Sequence, residues 1–228
     1  MKRRPQTELL DSDAGTPTEV AGSLRDLRWF NRWFGGLSTV RILIEDAVGG
    51  RGSRTVSLLD VASGDGYVAR WLRDEFKPKS VQLHFALFDR SSAHLPQNGT
   101  MHKIAGEALK LPFRDSSFDL VLTSLFVHHL APDAVVAFAR ESLRVCRSAV
   151  LVHDLIRHPL HLALAYAGLP LYRSRITRND APASVWQAYT VDEMRSFFQQ
   201  AGAADVQVKT HYLYRMGVIA WKQKANDL

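Results

Sequence analysis

Two acidic residues follow apolar runs in this sequence, and the first of them precedes a pair of glycines. Asp60 lies near the end of one run, with Gly64 and Gly66 after it, and Asp89 ends the next run. A carboxylate beside a glycine turn attracts an ammonium group, and a second one can accept hydrogen bonds from both hydroxyls of a ribose. These residue types at this spacing predict a site for a small ligand with amino-acid and nucleoside parts.

The glycine turn also favours a ligand through its backbone. Glycine costs little at positive φ and lets a ligand come close, and the free N–H groups of a following helix favour a carboxylate. The stretch has neither the G-x-G-x-x-G of dinucleotide sites nor the Lys-Ser/Thr of a Walker motif. The alternative interpretation is a turn that only lets the helix pack on the strand.

The elements that position these residues are strands alternating with helices. Residues 56–61 and 81–88 have the length and apolar content of buried parallel strands. Later strands are predicted at residues 116–125 and 148–152, and a hairpin at 206–212 and 216–221. Because the carboxyl ends of parallel strands meet at one edge of a sheet, Asp60 and Asp89 are expected side by side.

Composition limits the classes of protein that the sequence can encode. Its 228 residues fit one α/β domain, predicted at 23–228, after a polar and flexible segment at 1–22. The single cysteine, Cys146, excludes an internal disulfide and a cysteine zinc site, so we expect a reducing cytoplasm and no metal. The longest apolar patch, residues 160–171, is too short for a membrane span.

From about Val56 to Trp221 the chain resembles the class I S-adenosylmethionine-dependent methyltransferases. Their first motif reads roughly D-x-G-x-G-x-G, which Asp60, Gly64 and Gly66 match, whereas Ala62 replaces the first glycine and fits if its φ is negative. The stretch F-D-L-V-L-T-S-L-F-V-H-H-L at 118–130 resembles the small-molecule branch that contains the ubiquinone/menaquinone-type methyltransferases.

The resemblance implies a fold and a cofactor. The fold is a Rossmann-like α/β sheet of seven mostly parallel strands with helices on both faces and an antiparallel last strand. Helices at 23–50 would cover the cofactor, and an insertion at 155–190 would form a substrate lid. The implied cofactor is S-adenosyl-L-methionine, and the expected cofactor-binding residues are Asp60, Ala62, Gly64, Gly66, Asp89, Arg90, Glu107, Ala108, Ser124 and Leu125.

Histidines after the fourth and fifth strands are candidates for proton transfer to or from an acceptor. Our hypothesis is that His128, supported by Asp154, removes a proton, with His153 as a further candidate. A histidine at this position can instead cap a helix or pack in the core. Lid composition favours a hydrophobic aromatic or polyketide-like acceptor, methylated on oxygen rather than carbon, and the expected acceptor-binding residues are His129, Arg157, Arg173 and Arg175.

Two other functions stay open at this point. The net charge of +6 permits an RNA methyltransferase, but the basic residues are dispersed, and N-P-P-Y, D-P-P-Y and Pro-Cys motifs are absent from the fourth-strand region. Nucleic acid is therefore the less favoured partner. The chain could also be a non-catalytic member that binds the cofactor, or nothing, and acts as a partner in a complex. We expect a monomer or a homodimer.

Overall fold

The computed structural model describes residues 1–10, 15–49, 54–79, 81–92, 95–96 and 101–223. In these ranges seven helices and seven strands follow each other in an order that begins with two helices. The helices are α1 (Pro17–Trp33), α2 (Gly36–Val48), α3 (Tyr67–Phe76), α4 (Pro132–Val145), α5 (Pro159–Ala167), α6 (Arg175–Gln187) and α7 (Val191–Gln200). The strands are β1 (Arg54–Val61), β2 (Val81–Asp89), β3 (His102–Ala105), β4 (Phe118–Ser124), β5 (Cys146–Leu155), β6 (Asp205–His211) and β7 (Arg215–Trp221).

All seven strands form one sheet in the order β3-β2-β1-β4-β5-β7-β6. Neighbours from β3 to β5 are parallel, whereas β7 is antiparallel to both β5 and β6. This confirms the predicted Rossmann-like sheet with an antiparallel last strand. The chain runs outward from β1 to β3 and then returns to β4 on the other side of β1, so the strand order reverses beside β1. Open sheets bind ligands at such a reversal.

Helices cover both faces of the sheet, as predicted. Leu43 and Ile44 of α2 and Leu72 of α3 are buried in the core on one face. Phe138 of α4 and Phe198 of α7 are buried in the core on the other. The sheet is thereby fixed between two apolar layers, and its carboxyl edge is left for polar residues.

The N-terminal helix begins earlier than the apolar pattern indicated. We expected helix from Ser23, but α1 starts at Pro17, where the Thr16 hydroxyl accepts a hydrogen bond from the Glu19 backbone N–H and the Glu19 side chain accepts one from the backbone of Thr16. Residues 11–14 of the expected flexible segment lie outside the described residues. Within residues 1–10, the Arg3 guanidinium donates to the carbonyls of His128 and Leu130.

The insertion predicted at 155–190 contains α5 and α6. An isolated bridge between Ile156 and Tyr189 joins its two ends, and α6 packs on α1. The buried Asp26 carboxylate of α1 accepts hydrogen bonds from the backbone N–H groups of Arg173 and Ser174. Residue 50, the last of the expected helical cap, lies outside the described ranges. No described helix combines the length and the apolar composition that crossing a bilayer requires.

Candidate active site

A cavity of about 1410 Å³ opens at the carboxyl edge of the sheet. The ends of β1, β2 and β4 form one part of its wall, and α1, α5 and α6 form another. Glu8 and Leu10 of the N-terminal segment also line it. The predicted strand-end site and the insertion therefore share one space.

The turn between β1 and α3 needs glycine for two different reasons. Gly66 has a φ of +69°, and a Cβ there would lie 2.7 Å from Cδ1 of Leu87. Gly64 has a φ of +52°, but no protein atom lies within 4 Å of where its Cβ would be. Ala62 does not meet the condition set for it, a negative φ, since its φ is +58°. A non-glycine residue there stores backbone strain at the site.

Asp60 and Asp89 lie beside this turn, as predicted. Asp60 is buried, and burial together with the nearby charge of Asp89 raises its pKa to about 8. The Asp89 carboxylate accepts hydrogen bonds from the N–H groups of Gly64 at 2.9 Å and Ser91 at 3.0 Å. Burial therefore disfavours the charged form of Asp60, whereas the Asp89 carboxylate is held in a fixed orientation by backbone N–H groups.

Unpartnered oxygens show which chemistry fits the site. Among the described residues that line the cavity, Asp60 Oδ2, Ser63 Oγ and Asn31 Oδ1 are buried without a hydrogen-bond partner. A buried carboxylate or amide oxygen without a partner is costly and is stabilised by a donor. Such oxygens fit the ammonium and hydroxyl groups of an amino-acid nucleoside. An ion pair between Arg28 of α1 and Asp65 holds α1 over the same turn.

Four further predicted cofactor-site residues line the same cavity. Arg90 follows β2, Glu107 and Ala108 follow β3, and Ser124 ends β4. Leu125, the fifth, also lines the cavity and has a φ of +56°. Nine of the ten predicted cofactor-site residues therefore line the cavity. The tenth, Gly66, does not line it but packs against Leu87 within the same turn.

A second cluster of charged residues lies on the lid side of the cavity. Nδ1 of His128 is 2.6 Å from Oδ1 of Asp154, and the His128 backbone N–H donates to Oδ2 of the same carboxylate at 3.1 Å. On the other side of the ring, Nε2 lies 3.5 Å from Oε1 of Glu8. Burial opposes the charged imidazole, but the two carboxylates outweigh it and raise the pKa of His128 to about 10. The ring is therefore an imidazolium at neutral pH.

Sequence reasoning missed Glu8. Its carboxylate is buried, and Oε1 accepts hydrogen bonds from Ser184 Oγ and Gln187 Nε2, both at 2.6 Å. Burial raises its pKa, but the hydrogen bond and charge of His128 outweigh burial, so the pKa of Glu8 is lowered. Nothing in the polar segment around Glu8 predicts this placement, because its partners are more than a hundred residues away in sequence.

His129 lines the cavity beside His128. The two rings lie 4.1 Å apart between centroids. Glu8 and the two histidines bring a carboxylate oxygen and two ring nitrogens within 4.8 Å of one another. A divalent cation could use such donors, so a test of the site has to control for one.

The structure does not bring His153 to the cavity wall. Adjacent residues of a strand face opposite sides, so His153 points away from the side that Asp154 faces. Its Nδ1 lies 2.7 Å from Ser124 Oγ, and burial lowers its pKa to about 3. His153 is neutral and is not among the described residues that line the cavity, which corrects its prediction as a catalytic candidate.

The three arginines predicted to bind an acceptor lie elsewhere as well. Arg157 is buried and donates to the Ala188 carbonyl and the Glu193 carboxylate. Arg173 is exposed, and exposed Arg175 pairs with Glu19. Besides Arg28 and Arg90, the cavity is lined by Arg215 at the start of β7. Burial lowers the pKa of Arg215 to about 10. Sequence reasoning missed it because its burial arises only when β7 docks against β5.

Residues 59–152 match the family profile described as Methyltransferase domain (Methyltransf_11). The fold is similar to that of human N-acetylserotonin methyltransferase (16% identity, TM-score 0.62, covering 90% of this chain and 57% of that one). It is also similar to the S-adenosylmethionine-dependent methyltransferase SibL (17%, 0.66, 97% and 64%) and to the plantazolicin methyltransferase BpumL (12%, 0.68, 95% and 93%). No curated protein is significantly similar in sequence.

The chain thus carries a methyltransferase domain with the class I fold, and the methyl donor that such a domain uses is S-adenosyl-L-methionine. The chain spans less than two thirds of the human enzyme and of SibL. The fold and the cofactor class predicted from sequence are confirmed.

Proposed function

We propose that the protein transfers a methyl group from S-adenosylmethionine to a hydroxyl oxygen of a small hydrophobic aromatic or polyketide-like acceptor. The observation that supports this most is the continuity of the cavity. The strand ends that carry Asp60 and Asp89 open directly into a space walled by apolar lid residues and by His128, whose ring Asp154 holds. An acceptor in that space reaches a cofactor at the strand ends with little water between them.

The cofactor supplies a methyl group on a sulfonium sulfur, which is already electrophilic. In our proposal, Asp60 binds the ammonium group and Asp89 the ribose hydroxyls, while Glu107 and Ala108 contact the adenine edge. A cation beside Asp60 would stabilise its charged form, so the raised pKa of Asp60 would fall on binding. Ser124 and Leu125 would support the cofactor at the end of β4.

Proton removal from the acceptor is the step in which this chain's acids and histidines act. Since His128 carries a proton at neutral pH, we propose that its positive charge stabilises the anion that develops on the acceptor oxygen. That anion develops as Glu8 takes the hydroxyl proton, which Glu8 later releases to water. Asp154 holds the imidazolium ring through both of its oxygens. In this proposal His128 assists deprotonation but is not itself the base. The base is Glu8, whose Oε1 lies 3.5 Å from Nε2 of His128.

Arg215 and His129 are the candidates for binding an acidic group of the acceptor. Both line the cavity on the acceptor side. Arg215 also donates to the carbonyl of Phe34, so its position is set by α1 as well as by the sheet. A phenol with a neighbouring carbonyl or carboxylate would suit this pair.

Incubation with radiolabelled S-adenosylmethionine tests the proposal. The protein is given a panel of alkylated phenols, resorcinols and hydroxy-pyrones, with bulk transfer RNA and ribosomal RNA in parallel, with and without a chelator. We expect label in ether-linked methyl groups of an aromatic acceptor, unaffected by the chelator. Label only in RNA, or only at carbon, contradicts the proposal.

A protein that binds S-adenosylhomocysteine in calorimetry but transfers no label to any acceptor would support the non-catalytic alternative. A variant with Asp89→Asn provides the matched test of the cofactor site, with the exposed Asp192→Asn as its control. We expect the first to lose at least tenfold in affinity and the second to be unchanged. Equal affinity would remove the basis for the site.

A further inference from the structure

Large apolar side chains surround the opening of the cavity and stay exposed. Leu164 of α5, Leu171 and Tyr212 all line the cavity, yet 46%, 55% and 68% of their respective surfaces are exposed. Side chains that line a cavity are usually covered by the protein. Here apolar side chains that line the cavity also form part of the outer surface around its opening.

This surface continues along α1 and α5. Trp33 is 65% exposed. Trp29 lies one turn before it on α1, and the centroid of the Trp29 ring is 5.2 Å from that of the Phe34 ring. Gly35, which follows, lies against the backbone and side chain of Tyr212. On α5, Leu160 precedes Leu164 by one turn and is exposed as well. We call these residues the mouth patch: Trp29, Trp33, Leu160, Leu164, Leu171 and Tyr212.

Basic residues accompany the mouth patch, and the acids that the structure describes in α1 and in the insertion are already engaged. The insertion at 155–190 contains four arginines and a single acid, Asp180. Asp180 is buried and accepts hydrogen bonds from the backbone N–H groups of Leu9 and Leu10. On α1, Asp26 is buried against the insertion, and Glu19 pairs with Arg175. The exposed basic residues of these elements include Arg25, Arg32, Arg173 and Arg178.

We propose that the mouth patch docks on an anionic lipid surface and that a lipophilic acceptor enters the cavity from it. Exposed tryptophan and tyrosine beside arginine match the chemistry of a membrane interface, where the rings lie among the headgroups and the arginines meet anionic lipid. Two copies of this chain joined through the same patch would bring their arginines together. Charge therefore favours lipid over a second copy. The docking rests on this surface alone, whereas the lipophilic acceptor rests on the proposed function.

The test is flotation of the full chain with two kinds of vesicle. One consists of phosphatidylcholine alone, and the other also contains about 40% phosphatidylglycerol, which makes its surface strongly anionic. We expect binding to the anionic vesicles only, at least fivefold weaker in 0.5 M salt, with a blue shift of tryptophan emission. The variant Trp33→Ser/Leu160→Ser removes two patch residues that do not line the cavity and should lose most of the binding. Arg173→Ala/Arg178→Ala should weaken it, whereas Arg140→Ala, an exposed residue of α4, should not.

Equal flotation of wild type and the Trp33→Ser/Leu160→Ser variant overturns the proposal, as does the absence of flotation at low salt. So does a concentration-dependent dimer in light scattering that this variant abolishes, because the patch would then belong to a second copy. Calorimetry with S-adenosylhomocysteine checks that each variant is folded. Methyl transfer to water-soluble phenols without vesicle binding refutes the docking alone, and vesicle binding without any transfer refutes the proposed function alone.

Discussion

His128 Nδ1 and Asp154 Oδ1 lie 2.6 Å apart, and both side chains are buried where the turn after β4 meets the end of β5. The same carboxylate also holds the His128 backbone N–H. One residue of β5 thus fixes the orientation, the charge and the backbone of a histidine that lines the cavity. Most of the predictions below depend on this pair and on the carboxylates near it.

Asp154→Asn should lower the pKa of His128 and destabilise the fold. The pKa of His128 is raised from 6.5, so its charged form stabilises the fold below pH 6.5, and that stability is lost as the pH rises toward 10. The pKa of Asp154 is lowered, chiefly because the charge of His128 outweighs burial, so its contribution is present above pH 4. We expect a loss of about 3 kcal/mol in urea unfolding at pH 6, shrinking toward pH 10. An unchanged His128 titration in NMR would contradict this.

Glu8→Gln tests the proposed base. Glutamine keeps the shape and can still accept the hydrogen bond from Ser184, but it cannot take a proton. We expect kcat to fall by about 10²-fold or more with a small change in KM. The rate should recover as the pH approaches the pKa of the acceptor hydroxyl, because the acceptor then ionises unaided. A pH–rate profile parallel to that of the wild type, or to that of the control Asp192→Asn, would assign Glu8 a structural role instead.

Asp60→Asn should separate stability from cofactor binding. The unfolded carboxyl ionises above pH 3.8, whereas burial keeps the folded one protonated up to about pH 8, so stability falls as the pH rises between these values. The ligand-free variant should therefore melt higher than the wild type at pH 8, yet bind S-adenosylhomocysteine at least tenfold more weakly. Asp119→Asn is the control, since hydrogen bonds from Ser57 and Arg147 outweigh burial and lower the pKa of Asp119. It should lose stability and keep affinity.

Three glycine-to-alanine variants distinguish strain, packing and ligand contact. Gly49, Gly64 and Gly66 all have positive φ, so each variant should lose about 1–3 kcal/mol of stability from backbone strain. Gly66→Ala also forces a methyl group against Leu87 and should lose the most. The methyl group of Gly64→Ala meets no protein atom. Among the three variants, Gly64→Ala should nevertheless show the largest loss of cofactor affinity relative to its loss of stability. Equal affinities for Gly49→Ala and Gly64→Ala in calorimetry would contradict a ligand at this turn.

Local pattern was enough to predict the strand-end half of the site. The apolar run before Asp60 and the one ending at Asp89 are short and continuous, and parallel pairing of β1 with β2 brings their ends to one edge. Gly64 and Gly66 lie between an identifiable strand and an identifiable helix. Such features depend on neighbours within a few residues, so a single sequence contains them.

The half of the cavity in which we propose that the acceptor binds was predicted only in part. Asp154 and His153 adjoin in sequence, but the strand alternates its side chains, and only the assembled layers decide which one contacts His128. Arg157 has the composition of an anion-binding residue, yet it binds the carbonyl of Ala188 and the carboxylate of Glu193. A side chain's type does not indicate its partners when those partners come from other elements.

The sequence by itself determined the sheet, its helical layers and the two carboxylates beside a glycine turn, because strand and helix periodicities and turn residues act over short distances. Only the tertiary structure decided that Glu8 meets His128, that Arg215 lines the cavity whereas the predicted arginines do not, and that apolar residues of α1 and α5 remain exposed around one opening. These relations join residues far apart in the chain. They are fixed by the burial of whole elements against each other, which no local pattern records.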